Sequence, residues 1–197
     1  MNLSGSKTET NMVAAFRGES QARANYAQFA EKAKEEGHDQ IASYFEETAI
    51  NEQHHANIWL KFLKNVDPSK GMPEIVVKVG STQENLQKAI NGETFENTEM
   101  YPGFAKTAKQ EGFEIMAKLF DQVSDIEKDH AKHFQLLLDR LNAPSAKSVT
   151  PTVLADTWKC KKCGNIATGK TAPASCGVCG SIDDSSSGFK AFKQESY

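Results

Sequence analysis

The sequence predicts a mainly α chain: a four-helix bundle with one long crossover, followed by a small cysteine-bearing knuckle module. Three observations carry this. Residues 10–36, 39–64, 82–111 and 113–141 are rich in Ala, Glu, Lys and Gln and place apolar groups at helical spacing. The second and third segments are separated by "NVDPSKGMPEIVVKVGS", residues 65–81, much longer than the joints inside each pair. All four cysteines, at 160, 163, 176 and 179, fall where the helical pattern has stopped.

Each helical segment is long enough to span roughly 40 Å. The first pair meets at "KEEGHDQ" and the second at "KQEGFE", where Gly37 and Gly112 suit helix C-caps. Joints this short make each pair an antiparallel hairpin. The crossover, fully extended, reaches roughly 55 Å, enough to run the length of the bundle. Two hairpins joined in this way have the ferritin-like topology rather than the simple up-down one. The halves also repeat: moving "AKEEG" (33–37) onto "AKQEG" (108–112) carries Tyr26 to Tyr101, Phe29 to Phe104, Phe45 to Phe120, Glu52 to Glu127 and His55 to His130. A repeat that keeps core aromatics and these polar residues together predicts a two-fold related site between the halves. The expected domains are a bundle over 1–142, a Pro/Ser/Thr-containing linker over 143–156 and a glycine-rich cysteine module over 157–197.

A chain of 197 residues has room for one good-sized domain and a small appendage. With 39% hydrophobic residues, 25% charged residues and a net charge of −3, it reads as soluble and globular. No apolar run approaches the roughly 18 residues of a membrane span. The opening "MNLSGSKTETNM" has no signal-peptide core, so a cytoplasmic location is expected. Without a basic excess there is no electrostatic case for nucleic acid. In a reducing cytoplasm, clustered cysteine pairs read as metal ligands rather than disulfides.

In "INEQHHANIW", residues 50–59, Ile50 and Trp59 join Phe45 as candidates for the core, yet Glu52 and His55 fall on the same side. The inward ladder of this helix is Ile41, Phe45, Thr48, Glu52, His55, Trp59 and Phe62. The fourth helix repeats it with Met116, Phe120, Val123, Glu127, His130, Phe134 and Leu137. Glu19 lies on the stripe of the first helix, and Glu93 and Glu96 on that of the third. A Glu-x-x-His pair alone is weak evidence: Glu35 and His38 form one across the Gly37 turn. His54 and His133 lie one position off the stripes and are expected to be exposed. Arg23 is the only basic residue close to an inward face, and one cation cannot neutralise five carboxylates. Isolated buried charge is costly, so metal cations are the expected partners of Glu19, Glu52, His55, Glu93, Glu96, Glu127 and His130. Oxygen-rich sites with one imidazole per metal suit iron or manganese. Seven ligands suit two metals with bridging carboxylates, the pattern of di-iron carboxylate bundles, and a shared oxygen ligand can balance charge after oxidation.

Seven steps separate Glu19 from Tyr26, but eight separate Glu93 from Tyr101, with Pro102 following. The extra residue predicts a π-bulge or kink in the third helix, leaving Glu96 free to move with metal oxidation state. In "WKCKKCGN…ASCGVCGS", Cys160, Cys163, Cys176 and Cys179 form two C-x-x-C knuckles, a tetrahedral thiolate site. Spacing does not separate zinc from a single iron. A redox-active bundle alongside favours iron, since zinc carries no electrons.

These residues together resemble the rubrerythrin family across essentially the full chain: "GESQAR" around Glu19, "EQHH" around Glu52, "GETFENTEMYP", "EKDH" around Glu127, and the paired knuckles of a rubredoxin-like module. The resemblance implies a ferritin-like bundle with a small C-terminal rubredoxin-like β/knuckle domain. It implies an oxo- or hydroxo-bridged di-iron centre on the seven bundle residues above and a mononuclear iron on the four cysteines. It further implies a homodimer, hydrogen peroxide as substrate, and electrons from an NAD(P)H:rubredoxin-type reductase or rubredoxin. Tyr26 and Tyr101 are expected to hydrogen-bond near the site, with Glu96, Tyr26 and Tyr101 serving in catalysis. Gly177 and Asn165 depart from the usual rubredoxin knuckle, where proline and an aromatic are common, and bear on redox potential rather than ligation. The family pattern leads to an expected exchange of electrons between head-to-tail chains, although the linker can also deliver the module to its own bundle. The rival readings are a ferroxidase or iron-handling bundle, and a structural metalloprotein with zinc in the knuckles.

Overall fold

The computed structural model describes residues 2–143, 152–182 and 188–194. Helices α1 (Lys7–Glu35) and α2 (Asp39–Leu60) form the first hairpin. The second consists of α3 (Thr82–Phe95), a π-helical turn (Glu96–Met100), α4 (Tyr101–Gln110) and α5 (Glu114–Asn142). Gly37 and Gly112 close the hairpin turns with φ values of 81° and 79°, a conformation a β-carbon disfavours. Helix starts are fixed by oxygen acceptors for otherwise unpaired amides. Ser6 accepts from the Glu9 amide, and Ser81 forms a capping box with Glu84. The two halves also cap each other. Glu36, at the end of the first hairpin's first helix, accepts from the Thr82 amide at 2.9 Å. Its repeat, Glu111, accepts from the Thr8 amide at 2.8 Å.

The crossover runs along α1, where the Arg17 guanidinium donates to the Pro68 carbonyl at 2.8 Å and Gln21 donates to the Val76 carbonyl at 3.2 Å. Helix α1 packs closely along α2, and α3 and α4 pack along α5, whereas α1 and α3 touch only sparsely. Two aromatic clusters fill the bundle at different levels. One contains Trp59, Tyr101 and Phe120, with the Trp59 and Phe120 ring centroids 4.5 Å apart. The other contains Tyr26, Phe29, Phe45 and Phe134. Between them lies the acidic layer.

The C-terminal module is a small antiparallel sheet of β1 (Thr152–Cys160), β2 (Ile166–Thr168) and β3 (Phe189–Gln194) in the order β2-β1-β3. Residues 152–156, expected as linker, begin β1: pairing with β3 recruits them to the sheet, with an irregularity between Val153 and Trp158 where Asp156 takes φ 56°. Residues 144–151 of that linker lie outside the described residues. Ile50 is also corrected. It is 52% exposed, because it falls off the ladder that runs from Phe45 through Glu52 to Trp59. Among the described residues no helix is long and apolar enough to cross a membrane.

Candidate metal centres

Glu19 on α1, Glu52 and His55 on α2, Glu93 on α3, and Glu127 and His130 on α5 are all at most 1% exposed. Their position follows from the inward ladders: three- and four-residue steps put every one of these side chains over the same level of the bundle. Single ligand atoms from Glu19, Glu52, His55 and Glu127 lie within 4.8 Å of one another, as do atoms from Glu52, Glu93, Glu127 and His130. Glu52 and Glu127 belong to both groups. His55 Nδ1 is 2.7 Å from Glu52 Oε2 and 2.9 Å from Glu127 Oε1. His130 Nδ1 is 3.3 Å from Glu52 Oε1 and 2.9 Å from Glu127 Oε2. Each of these two carboxylates therefore turns one oxygen to each imidazole.

The tyrosines complete a two-fold arrangement in which each half serves the other. Tyr26 on α1 donates its hydroxyl hydrogen to Glu93, and Tyr101 on α4 donates to Glu19. Burial and the neighbouring carboxylates push both phenol pKa values well up, so both hydroxyls keep their protons. The rest of the cluster is unbalanced. Burial pushes the Glu19 carboxyl well up despite the pull of His55. Burial and the Glu52 charge raise Glu93 to about 8. Glu52 is also driven up by burial, but His130 and His55 outweigh this and hold it at about 2. Among the described residues no lysine or arginine enters the layer, and Arg23, the one candidate cation of the sequence, is exposed.

Buried atoms without any hydrogen-bond partner include Glu19 Oε2, Glu52 Oε1, Glu93 Oε2, both Glu127 oxygens and His130 Nδ1. Most of the orphaned buried polar atoms among the described residues thus converge on one layer, where leaving them unpaired is costly. Acceptor atoms facing one another are satisfied by cations. The donor set fits a di-iron centre.

Both imidazoles are oriented from behind. His55 Nε2 lies 2.9 Å from the Cys163 main-chain oxygen, which can only accept, so Nε2 carries the hydrogen and the Nδ1 lone pair faces the carboxylates. His130 Nε2 lies 3.2 Å from Asn51 Oδ1, while Asn51 Nδ2 donates to the Lys162 carbonyl at 2.7 Å. That donation fixes the amide orientation and hence the same tautomer on His130. The C-terminal module thus orients both imidazoles, directly through Cys163 and indirectly through Asn51.

The module's four cysteines are free thiols in one cage, with Cys160 and Cys179 sulfurs 3.9 Å apart and Cys163 and Cys176 sulfurs 3.6 Å apart. Tetrahedral ligation with metal–sulfur bonds of about 2.3 Å places sulfurs roughly 3.8 Å apart, so the cage fits one rubredoxin-like iron. Gly164 and Gly180 end the two knuckles with equal φ values of 76°. Gly164 also touches the bundle: a β-carbon there would stand 3.0 Å from Asn51 Oδ1 and 3.2 Å from His130 Nε2. Lys159 and Lys190 both pair with Glu47 on α2, at 2.9 and 2.6 Å, and Lys61 donates to the Cys179 carbonyl at 2.9 Å.

Six of the seven expected bundle ligands are brought together. Glu96 stands apart from both four-residue groups and is half-buried on the π-helical turn. His54 and His133 were expected to be exposed, yet both are half-buried. His133 stacks on Tyr44 with ring centroids 3.8 Å apart. Burial, aided by the charge of Lys159, lowers its pKa to about 4. Asn51, Gly164 and Glu47 are contacts that sequence reasoning missed. One signal was present for Asn51: the shift that carries Glu52 to Glu127 places it on Ile126, so a polar residue stands where the repeat has an apolar one.

Residues 10–138 match the family model Rubrerythrin, and residues 158–184 match Rubrerythrin, rubredoxin-like domain. A rubrerythrin of Porphyromonas gingivalis is 41% identical over 183 residues, covering 90% of this chain and 88% of its own. A rubrerythrin of Nitratidesulfovibrio vulgaris is 39% identical over 183 residues, covering 90% of this chain and 92% of its own. Among solved structures, partially reduced nigerythrin superposes with a TM-score of 0.70 at 30% identity, covering 98% of this chain and 89% of that one. The fully reduced, all-ferrous nigerythrin gives 0.69 at 29% identity, covering 96% and 91%. With a bundle and a knuckle module that both match, this chain belongs to the rubrerythrin family.

Proposed function

We propose that the chain is a hydrogen peroxide reductase, turning H2O2, two electrons and two protons into two molecules of water. The observation that carries this reading is the hydrogen bond between His55 Nε2 and the Cys163 carbonyl, 2.9 Å long. It joins a candidate electron carrier to a candidate ligand of the bundle centre through a single contact. A protein that only stored or oxidised iron would have no use for that junction.

In this reading Glu19, Glu52, Glu127 and His55 would hold one iron and Glu52, Glu93, Glu127 and His130 the other, Glu52 and Glu127 belonging to both groups. Cys160, Cys163, Cys176 and Cys179 would hold the third. Bound as ferrous ions, the pair supplies two electrons and the positive charge against which an O–O bond breaks. Tyr26 and Tyr101, held protonated, fix Glu93 and Glu19 in place by hydrogen bonds. The Tyr26 hydroxyl can share its proton with Glu93 along this hydrogen bond without releasing it. Glu96 rides on a turn with a wider helical repeat and is positioned to approach or leave the centre. The electrons return one at a time through the Cys163 carbonyl and His55. Their source is an NAD(P)H:rubredoxin-type reductase or rubredoxin acting at the cysteine module. The same docking surfaces would serve between two chains of a homodimer, and four free thiols suit a reducing cytoplasm.

Stopped-flow oxidation of the fully reduced protein tests this. Hydrogen peroxide should oxidise it faster than dioxygen does at equal concentration. The reverse order would favour the ferroxidase reading. A colourless preparation without iron–thiolate absorption in the iron-loaded protein would remove the electron carrier altogether.

A further inference from the structure

The carboxylate layer has two sides, and the cysteine module occupies the one formed by α2 and α5 through Asn51, His55 and His130. On the other side α1 and α3 diverge, leaving a cleft of about 250 Å³ lined by Gly18, Ala22, Tyr26, Ala89, Gly92 and Glu96. Two of these are glycines in mid-helix, where glycine is unfavourable relative to alanine. Neither needs its flexibility, since neither has a positive φ. Packing does not demand them either. A β-carbon on Gly92 would meet nothing within 4 Å, and one on Gly18 would meet only Glu96 Oε1, at 3.8 Å. What the missing side chains provide is open space, and that space leads to Glu96 and to Tyr26, the hydrogen-bond partner of Glu93. A water-sized molecule needs only about 10–15 Å³, so the cleft admits small oxidants readily.

Resting on the peroxidase reading above, we infer that the α1–α3 cleft is the route by which the oxidant reaches the centre. Gly18, Ala22 and Gly92 set its bore and restrict the chain to small hydroperoxides. Substrate and electrons then approach from opposite faces, so neither blocks the other.

The test uses full-length, iron-loaded protein with Gly92→Leu and Ala22→Leu as blocking variants and Gly92→Ala as the mild one. Three rates are followed: azide binding to the oxidised protein by its visible absorption, oxidation of the reduced protein by hydrogen peroxide or tert-butyl hydroperoxide, and reduction through the cysteine iron. The leucine variants should bind azide and react with hydrogen peroxide about tenfold more slowly or worse, while reduction through the cysteine iron is unchanged. Gly92→Ala should keep its hydrogen peroxide rate and lose about threefold or more on tert-butyl hydroperoxide. Wild-type azide rates in both leucine variants would overturn the inference, as would equal slowing of electron delivery. So would an unchanged ratio between the two peroxides in Gly92→Ala, which remains measurable should the leucine variants not fold. If the wild type binds azide rapidly but consumes no peroxide, the peroxidase reading fails while the cleft remains the way in.

Discussion

Gly164 sits against Asn51: a β-carbon on the glycine would lie 3.0 Å from the Asn51 amide oxygen, so tight that Asn51 would have to give by a few tenths of an ångström. The residue is needed twice, for its φ of 76° inside the knuckle and for its fit against the bundle. Gly180 has the same φ in the other knuckle but open space beyond it. Gly164→Ala and Gly180→Ala should therefore both weaken the module by about 1–2 kcal/mol of left-handed backbone strain. Only Gly164→Ala should slow electron transfer from the cysteine iron to the bundle in rapid-mixing experiments. Equal slowing in both variants would mean that the docked face is elsewhere.

Asn51 holds the Lys162 carbonyl with one end and His130 with the other. Asn51→Ala leaves both without their partner, costing about 1–3 kcal/mol. It should also loosen the metal beside His130 by about ten- to a hundredfold, as losses behind a ligand typically do. Iron release to a chelator measures this. Release at the wild-type rate would show that His130 is oriented by something else.

Removing the metals should destabilise the bundle, because Glu19, Glu52, Glu93 and Glu127 are then left buried with unpaired oxygens. Two ions each present at a hundred times their dissociation constant add about 2.7 kcal/mol apiece. At about 2–4 °C per kcal/mol, calorimetry should find the stripped bundle melting roughly 10–20 °C lower. No change in melting temperature would contradict the cation requirement.

Glu47 lies between Lys159 and Lys190, with its side chain 27% exposed. Burial pushes its carboxyl up, but the two ammonium groups outweigh this and hold it at about 2 rather than the ordinary 4.5. A depressed carboxyl stabilises above its ordinary pKa and loses that contribution as pH falls toward the depressed one. Docking of the module should thus weaken between pH 4.5 and 2 on this account. At neutral pH, Glu47→Gln should reduce the docked population by about fivefold, for roughly 1 kcal/mol of partly exposed ion pair, and should blunt its salt dependence. Electron-transfer rates against salt and pH read both.

Much of this was legible in the chain. The helices follow from apolar ladders, the pairing of halves from the repeat, and the π-helical turn from eight steps between Glu93 and Tyr101 where the first half has seven between Glu19 and Tyr26. Glu52, His55, Glu127 and His130 stood out because charged groups interrupt otherwise apolar ladders. The docking face was not legible, because it is made largely by carbonyl oxygens of Lys162 and Cys163, which every residue type possesses. Ile50 misled for the opposite reason: it is apolar but lies off the ladder, and apolar residues on surfaces are common. His133 was misjudged because it lies off the inward ladder yet stacks on Tyr44 of α2, a neighbour that the ladder of its own helix does not reveal.

One residue too many in a packed helix ordinarily rotates everything beyond it by about 100°. Here the five residues Glu96–Met100 absorb that rotation, and Tyr101 returns fully buried with its hydroxyl on Glu19. The surplus therefore acts as a phase corrector. It re-aims one carboxylate and leaves the hydrophobic register downstream untouched, so the chemistry of this layer can be retuned without rebuilding the rods that carry it.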